Sequence, residues 1–525
     1  MRFAITLSLG LFFLGLSAQT LQMPDTLDFG FSYEDSTVNR DLEIVNTGIY
    51  SIEIVDIDLF EKYGRQVFSV SDSAGVLFPN DTLNIQVSFS PNHNILHNLI
   101  LAVKTKSGFG HKSVVLIGQG KYRNSYYNST ENKSEEALKL ALKSRLAQGY
   151  SQLSYNVARD NMYGSIDNVN GDVECVYTGR QATFNTRPGA NSNSFNTEHT
   201  FPQGFFNSNL PMRSDIHHLF PTDVTSNSRR GNDPFGIVSG TPTWQVGGSK
   251  SNNSTFEPRD IHKGNCARAM MYFVIRYQDY SNHFSGQETI LRQWHNQFAP
   301  STTEKDRNSD IFSLQNNRNP FVDYPQFEER ISSFVTNSVA PEVESLYISD
   351  DTIKLLEDAG RYYYDFIIYN NGNVEVELDN FLLSDTSLHF HSSMPSDFEL
   401  DESEAKTIRI SFDASKSYNA LLQFNSDLNN GTTLSIPIVS DATVGLNEID
   451  DNVLELFPNP STGLINIKSK IGIKKTLVLD LNGEIIDENE KTREKMDLSH
   501  LSPGFYFVKI ILEDNRIINR RIIIQ

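Results

Sequence analysis

The sequence predicts a multidomain fold: an α+β core in the middle of the chain, flanked by all-β sandwiches and followed by a small C-terminal β domain. Three observations carry this. The chain has 525 residues, more than one hydrophobic core organises, since domains run to roughly 100–200 residues. Its texture changes from period-two alternation to helical spacing and back. Its charge is uneven. The whole chain carries −20, yet residues 121–340 hold 22 Lys+Arg against 21 Asp+Glu, so the acidity belongs to the flanks. A strongly acidic protein argues against a polyanion partner, whereas a neutral, arginine-bearing middle permits one. The expected boundaries are 1–18 for a signal peptide, 19–121 for the first sandwich and 122–338 for the α+β core. Residues 339–444 then form the second sandwich and 445–525 the C-terminal domain.

Met1 to Ala18 has the layout of a secretory signal. Arg2 gives a positive start, Ile5 to Leu16 is mostly apolar, and Leu16-Ser17-Ala18 offers a small-residue cleavage site before Gln19. The apolar run is short for a membrane span of about 20 residues, and no later stretch is apolar enough to cross. In the oxidising compartment that export implies, Cys175 and Cys266 form either one disulfide or two buried thiols.

Residues 20–120 alternate apolar and polar positions in short runs, as in Leu42-Glu43-Ile44-Val45 and Leu83-Asn84-Ile85-Gln86-Val87-Ser88-Phe89. That pattern predicts a β-sandwich. Leu27-Asp28-Phe29-Gly30, Val45-Asn46-Thr47-Gly48 and the ending Ile117-Gly118-Gln119-Gly120 resemble the immunoglobulin-like modules of secreted bacterial proteins. From Tyr126 the spacing becomes helical. Leu138, Leu142 and Leu146 mark one face of a helix over Ser134 to Tyr150, and Gly264 to Tyr280 is a second, mostly buried helical run. Ser313 to Ile331 closes this core. Period two returns in residues 340–443, where Tyr362 to Tyr369 runs into the turn Asn370-Asn371-Gly372-Asn373. This is the second immunoglobulin-like sandwich.

The last eighty or so residues read as strands and turns. Leu456-Phe457-Pro458-Asn459-Pro460-Ser461-Thr462-Gly463 is followed by Leu477 to Leu481 and by Asn482-Gly483, a strong hairpin signal. Leu498-Ser499-His500-Leu501-Ser502-Pro503-Gly504 and the basic, apolar end Arg520-Arg521-Ile522-Ile523-Ile524-Gln525 complete the set. In this order the pieces resemble the C-terminal sorting domain of the type IX secretion system of Bacteroidetes. The resemblance implies passage across the outer membrane and a secreted or cell-surface location.

The chemistry is concentrated in Asn196-Thr197-Glu198-His199-Thr200-Phe201-Pro202-Gln203 and in Asp215-Ile216-His217-His218-Leu219-Phe220-Pro221, running on to Asn227 and Arg230. Hydrolysis of a phosphodiester needs an activated water, charge stabilisation on the phosphoryl oxygens, and help for the leaving oxygen. A histidine near neutral pKa supplies the first and a divalent metal the other two. His199 is the candidate base, with Glu198 and the amide oxygen of Asn227 as candidate metal ligands. Neighbours in mid-strand face opposite sides, so Glu198 and His199 can serve one site only at a strand end. Pro202 and Gly204 mark such an end. Ser214 to Phe220 is then the expected second strand, and a short helix starts at Thr222 or Thr225 and stops at Gly231. Asn227 and Arg230 share a face of that helix. Arg230 either grips a phosphate with its planar fork or pairs with Asp215 or Asp223. His217 and His218 are expected to be hydrogen-bonded structural residues, Glu257 and Arg268 an internal ion pair, and Arg180 and Arg318 framework.

These segments resemble the bacterial endonuclease I family, whose active site is a ββα-metal (His-Me) finger. The resemblance spans about 126–335 and is carried by Val176-Tyr177-Thr178-Gly179-Arg180, the two central stretches, Asn227, Arg230, Asn232, Pro234-Phe235-Gly236, Phe256-Glu257-Pro258, Lys263-Gly264, Ala267-Arg268-Ala269 and Asn317-Arg318-Asn319-Pro320-Phe321-Val322-Asp323. It departs at Thr200, where an aliphatic residue is usual, and at Asp233, where an aromatic is common. The resemblance implies non-specific cleavage of DNA, and often RNA, outside the cytoplasm. It also implies His199 as base, with Glu198 and Asn227 holding a divalent metal. Mg²⁺ suits oxygen ligands, with Mn²⁺ and Ca²⁺ as alternatives, and a monomer is expected. The sequence has no recognition helix, zinc-finger spacing or base-stacking motif. The alternative is a surface or matrix protein that binds nucleic acid or glycan through a catalytically silent nuclease fold.

Overall fold

Alternation becomes layering in the N-terminal module. In the strand Val38–Asn46, Leu42 and Ile44 are buried while Glu43 points to solvent. In Thr82–Phe89, Ile85, Val87 and Phe89 are buried. Two sheets, one of four strands and one of five, close over these side chains and share a single core with Phe29, Leu101, Val103, Val114 and Leu116. The computed structural model describes residues 21–440 and 454–524, apart from 61–66, 72–73, 107–110, 357–361, 414, 429–430, 460, 480–484, 490–494, 503 and 514–516. The expected signal peptide lies outside the described residues, as do Pro460, Pro503 and the Asn482-Gly483 turn.

The chain divides into two units, Met1–Ser440 and Asp441–Gln525. Within the first, residues 346–440 build a second pair of sheets, of four and five strands, around Phe366, Ile368, Leu378, Ile410, Leu422 and Phe424. Both β modules use the same turn. Asn46 donates from Nδ2 to Tyr50 O and Leu77 O at 2.8 and 2.9 Å and accepts Gly48 N–H at 3.0 Å. Asn370 donates to Val374 O and Leu400 O at 2.7 and 2.9 Å and accepts Gly372 N–H at 2.9 Å. Gly372 is required there, because a Cβ would stand 2.1 Å from Val343 O. The strand Tyr363–Asn370 is buried on both faces. Its second face, through Ile367 and Tyr369, packs on Ile100 and Ala102 of the first module. That accounts for a near-continuous apolar run where one-sided burial would have given alternation.

The region between the β modules is helical with short sheets. Leu138, Leu142 and Leu146 are fully buried on the helix Glu135–Ala147. The long helix Asp260–Arg276 runs through the core with nearly every side chain covered. It begins earlier than the apolar run suggests, directly after Pro258-Arg259, and ends at Tyr277 rather than Tyr280. Gly264 lets it pass close to the chain at Phe298, whose carbonyl oxygen would lie 2.5 Å from a Cβ. No helix among the described residues is long and apolar enough to cross a membrane.

The second unit contains a three-stranded and a four-stranded sheet around Leu454, Ile465, Val478, Leu498, Val508, Ile510 and Ile522. Ile473–Leu479 and Ile485–Asn489, the strands on either side of Asn482-Gly483, pair antiparallel.

Candidate active site

Two antiparallel strands and a short helix carry the central residues. Phe195–His199 pairs with Leu219–Asp223, placing Glu198 opposite Phe220 and His199 opposite Leu219. The helix Val224–Arg230 follows at once, with Asp223 accepting Ser226 N–H at 2.8 Å as its N-cap. Gly231 ends it at φ 52°. The cap is therefore Asp223 rather than a threonine, and its carboxylate also accepts Thr178 Oγ1–H at 2.9 Å and the Cys175 thiol at 3.2 Å.

The second strand starts later than the sequence suggests. Residues Met212–Ser214 and Ile216–His218 form single 3₁₀ turns in place of a strand from Ser214. The reason is Asp215. Its fully buried carboxylate accepts Tyr272 and Tyr277 hydroxyls at 2.7 and 2.8 Å and Gln315 Nε2–H at 2.8 Å. Arg276 lies 3.7 Å away and helps hold this carboxyl down at about 2 against the cost of burial. The backbone turns inward to deliver it. His217 and His218 are buried within these turns and hydrogen-bond to Asn317 O at 3.0 Å and Met212 O at 2.6 Å.

His199 is the last residue of its strand and is 6% exposed. Its Nε2 donates to Arg213 O at 3.1 Å. Burial, reinforced by His218, pushes its pKa down to about 3, so the ring is neutral. With the proton held on Nε2, the basic lone pair belongs to Nδ1. Tyr155 lies 5.6 Å from the ring centroid and His218 5.5 Å.

Glu198 faces the other way and is 2% exposed. The Tyr177 hydroxyl donates to its Oε1 at 2.8 Å. Arg230 Nε stands 3.2 Å from the same oxygen, at ion-pair distance though off the line of a hydrogen bond. Oε2 has no partner among the described residues. Burial raises this carboxyl to about 7 against the opposing pull of Arg230 and Tyr177. Asn227 is half-buried, and its Nδ2 donates to Thr197 O at 3.4 Å, which turns Oδ1 away from the strand.

A buried carboxylate with one uncommitted oxygen, and an amide on the helix that follows the second strand, are oxygen donors of the kind a hard divalent cation takes while keeping most of its waters. They do not make an all-protein cage. Among the described residues no three His, Cys, Asp or Glu converge as metal ligands.

The structure thus brings Glu198 to Arg230 and sets Asn227 against the strand that carries His199. Successive side chains leave that strand on alternate sides, and His199, as its last residue, stands at the strand end where it and Glu198 can serve one site. Arg230 is fully buried. It pairs with neither Asp215 nor Asp223. Apart from its ion pair with Glu198, it donates to Thr200 O at 2.9 Å and Gly231 O at 3.1 Å, and its guanidinium lies 4.5 Å from the Phe235 ring centroid. The expected Glu257–Arg268 pair does not form. Glu257 binds Lys263 at 2.9 Å, and Arg268 binds Glu304 at 2.6 Å, because Arg268 points to the opposite flank of the long helix. Arg318 is framework, on Asp323 at 2.6 Å. Cys175 and Cys266 are separate buried thiols.

Four residues near the site carried no sequence signal of a role. Tyr177 lay within a family-like segment, but nothing in its spacing tied it to Glu198. Tyr155 and Arg159 sit four apart on the short helix Tyr155–Asn161, and Arg213 lies in a turn whose path only the buried Asp215 dictates.

Comparison with known proteins places these residues in context. The family model for Endonuclease I matches residues 130–326, and that for a secretion system C-terminal sorting domain matches 455–525. The extracellular ribonuclease of Bacillus subtilis (strain 168) is 30% identical over 227 residues, 39% of this chain and 78% of that protein. The extracellular ribonuclease of Bacillus amyloliquefaciens is 30% identical over 258 residues, 44% of this chain and 87% of that protein. An extracellular deoxyribonuclease of Aeromonas hydrophila is 30% identical over 118 residues, 21% of this chain and 50% of that protein.

Proposed function

Because the chain belongs to the endonuclease I family, we propose that it is a metal-dependent, sequence-non-specific endonuclease whose general base is His199 and whose metal ligands are Glu198 and Asn227. The chain is a nuclease, and with its sorting domain it is secreted or displayed on the cell surface. The single observation that carries the proposal is the hydrogen bond from His199 Nε2 to Arg213 O, which dedicates Nδ1 to accepting a proton.

In the proposed reaction a water attacks the phosphorus of a backbone phosphodiester as His199 Nδ1 takes its proton, the P–O bond to the sugar oxygen opposite the water breaks, and that oxygen leaves with a proton from solvent. The ring is neutral and so can take the proton, but burial holds its pKa at about 3, below the near-neutral value expected of the base, which weakens it as an acceptor; a positioned base contributes roughly 10²–10⁴-fold. Glu198 Oε2 and Asn227 Oδ1 would hold Mg²⁺, or Mn²⁺ or Ca²⁺ in its place. Such an ion supplies neutralisation of charge on the phosphoryl and leaving oxygens. Tyr177 fixes the Glu198 carboxylate. Arg230, expected at the phosphate, acts on this reading through the same carboxylate, since its buried fork is already committed.

Both DNA and RNA are proposed substrates, in keeping with relatives named for each. Contacts to phosphate carry no sequence information, which is the physical basis of non-specific cutting. The strand–strand–helix at Phe195–Arg230 is proposed as a ββα-metal finger, and residues 19–121 and 339–444 as immunoglobulin-like modules on a monomeric chain, around an enzyme domain at 122–338. Residues 1–18 act as signal peptide, and 445–525 engage the type IX machinery.

The test is incubation of the purified chain with supercoiled plasmid and with RNA, in Mg²⁺ and in EDTA. Nicking in Mg²⁺ that EDTA abolishes is expected. Intact substrate in Mg²⁺, Mn²⁺ and Ca²⁺ alike would make the chain a binding protein with a silent nuclease fold.

A further inference from the structure

The side of the strand that carries His199 holds two arginines with no carboxylate partner among the described residues. Arg159 donates from Nε to Thr197 Oγ1 at 3.0 Å, two residues before His199 and on the same face. It also approaches Tyr163, 6.0 Å from guanidinium carbon to ring centroid, and meets no carboxylate there. Arg213 stacks on Tyr155, guanidinium carbon to ring centroid 4.4 Å, and Arg159 approaches the same ring at 5.3 Å. Arg213 Nε is buried without a hydrogen bond. Both side chains are only partly exposed, so they are held in place and not waving in solvent.

Several other arginines of this domain are paired with carboxylates, whereas Arg145, Arg180 and Arg330 hydrogen-bond to neutral acceptors. Arg268, Arg307 and Arg318 each sit within 2.7 Å of a carboxylate oxygen, and Arg230 is spent on Glu198. Arg159 and Arg213 are set apart by their place beside the candidate base, since both lie close enough to repel the charged form of His199. Contact with Tyr155 holds the Arg213 guanidinium in place, and its buried Nε still lacks an acceptor, a donor of the kind that guanidinium groups offer to phosphate oxygens.

We propose that Arg159 and Arg213, braced by Tyr155, form the clamp that holds the nucleic-acid phosphodiester backbone against His199. The inference rests on the nuclease reading above and assigns to these residues the phosphate contact that Arg230 is not placed to make. Arg213 then serves twice. Its carbonyl orients the base, and its side chain presents the substrate to that base. The ligand is a phosphodiester of either DNA or RNA, gripped without regard to base.

The experiment is fluorescence anisotropy of a labelled single-stranded DNA oligonucleotide and its RNA counterpart, in EDTA, with the full chain carrying His199→Ala to prevent turnover. Adding Arg159→Gln or Arg213→Gln should weaken binding of both by about tenfold and lower the salt slope by about one each. Arg159→Lys and Arg213→Lys should keep the slope while losing part of the affinity. Arg40→Gln, which removes an exposed arginine from the first β module, should change neither. Unchanged affinity and slope in the glutamine variants would overturn the clamp. Should those variants misfold by circular dichroism, phenylglyoxal labelling of the otherwise unaltered protein decides. Protection of Arg159 and Arg213 by the oligonucleotide supports the clamp, and equal labelling with and without it overturns the clamp. Wild-type chain that cuts nucleic acid while the variants bind normally would sink only this inference, whereas a wild-type chain that cuts under no metal would sink the nuclease reading itself.

Discussion

His199 Nε2 donates to the backbone carbonyl of Arg213 at 3.1 Å. Because the acceptor is backbone, the tautomer of His199 does not depend on what side chain residue 213 carries. It depends on the fold of the turn Met212–Ser214, and that turn in turn depends on burying Asp215. The base is thus set by a carboxylate cluster that never touches substrate.

Glu198→Gln and Asn227→Ala should raise the Mg²⁺ concentration needed for half-maximal activity by at least tenfold, with Tyr177→Phe a milder version of the same effect. Binding of Mn²⁺, followed by electron paramagnetic resonance, checks this without turnover. Glu198→Ala should additionally destabilise the chain by about 3–5 kcal/mol, because it strands the buried Arg230. Unaltered Mn²⁺ affinity in Glu198→Gln would move the metal elsewhere.

Acid should destabilise the protein well above the carboxylate range. Burial pushes His97, His217 and His295 down to about 4 and His262 and His283 to about 3. Above about 6.5 these rings are neutral in both folded and unfolded chains, so they cost nothing. Below it the unfolded chain takes up protons that the folded chain refuses, and stability falls until the folded pKa values are passed. His199, held at about 3, adds to them; Glu198, raised to about 7, works in the opposite sense but is one group against six. The melting temperature should drop by roughly 10 °C or more between pH 7.5 and 5. A flat profile over that range would contradict the buried neutral histidines.

Much of this was legible in the sequence, for physical reasons. Leu138, Leu142 and Leu146 at helical spacing and Ile85, Val87 and Phe89 at period two each have one face to bury, so pattern maps directly onto structure. The strand–strand–helix order around His199 followed from Pro202, Gly204 and Gly231. What spacing could not reveal was pairing over long separations. Asp215 draws Tyr272, Tyr277 and Gln315 to itself from far along the chain, and so replaces a strand by turns. Arg230 found Glu198 rather than Asp215 or Asp223, and Arg268 found Glu304 rather than Glu257. Charge partners are chosen by tertiary packing, which leaves no local trace.

A fragment of residues 121–340 should cut DNA, since the candidate ligands and base all lie within it. It should also melt several degrees below the full chain. Excision removes Glu34 from Tyr324 Oη–H at 3.0 Å, Asn94 from the buried Arg330 at 2.9 Å and His93 from Glu329 at 2.9 Å. Calorimetry of the two proteins, beside a plasmid-nicking assay, checks both halves. A folded but inert fragment would mean that a β module completes the site.

Deleting 445–525 should leave an active nuclease that stops in the periplasm, since the sorting domain matched at 455–525 is the second address and the expected signal at 1–18 only the first. Fractionation of the native host expressing the truncated chain, with nuclease assayed in each fraction, is the check. Undiminished activity in the medium or on the cell surface would show that the tail is not needed for export.

The central claim is that His199 is the base. The most direct measurement is the single-turnover cleavage rate of a DNA duplex at saturating Mg²⁺ for His199→Ala beside His217→Ala and His218→Ala. His199→Ala should lose roughly 10²–10⁴-fold in rate with folding and DNA affinity retained, while the other two, hydrogen-bonded to Asn317 O and Met212 O, should lose stability first and rate only in proportion. A normal rate in His199→Ala, or a loss of that size confined to His217→Ala or His218→Ala, would contradict that claim.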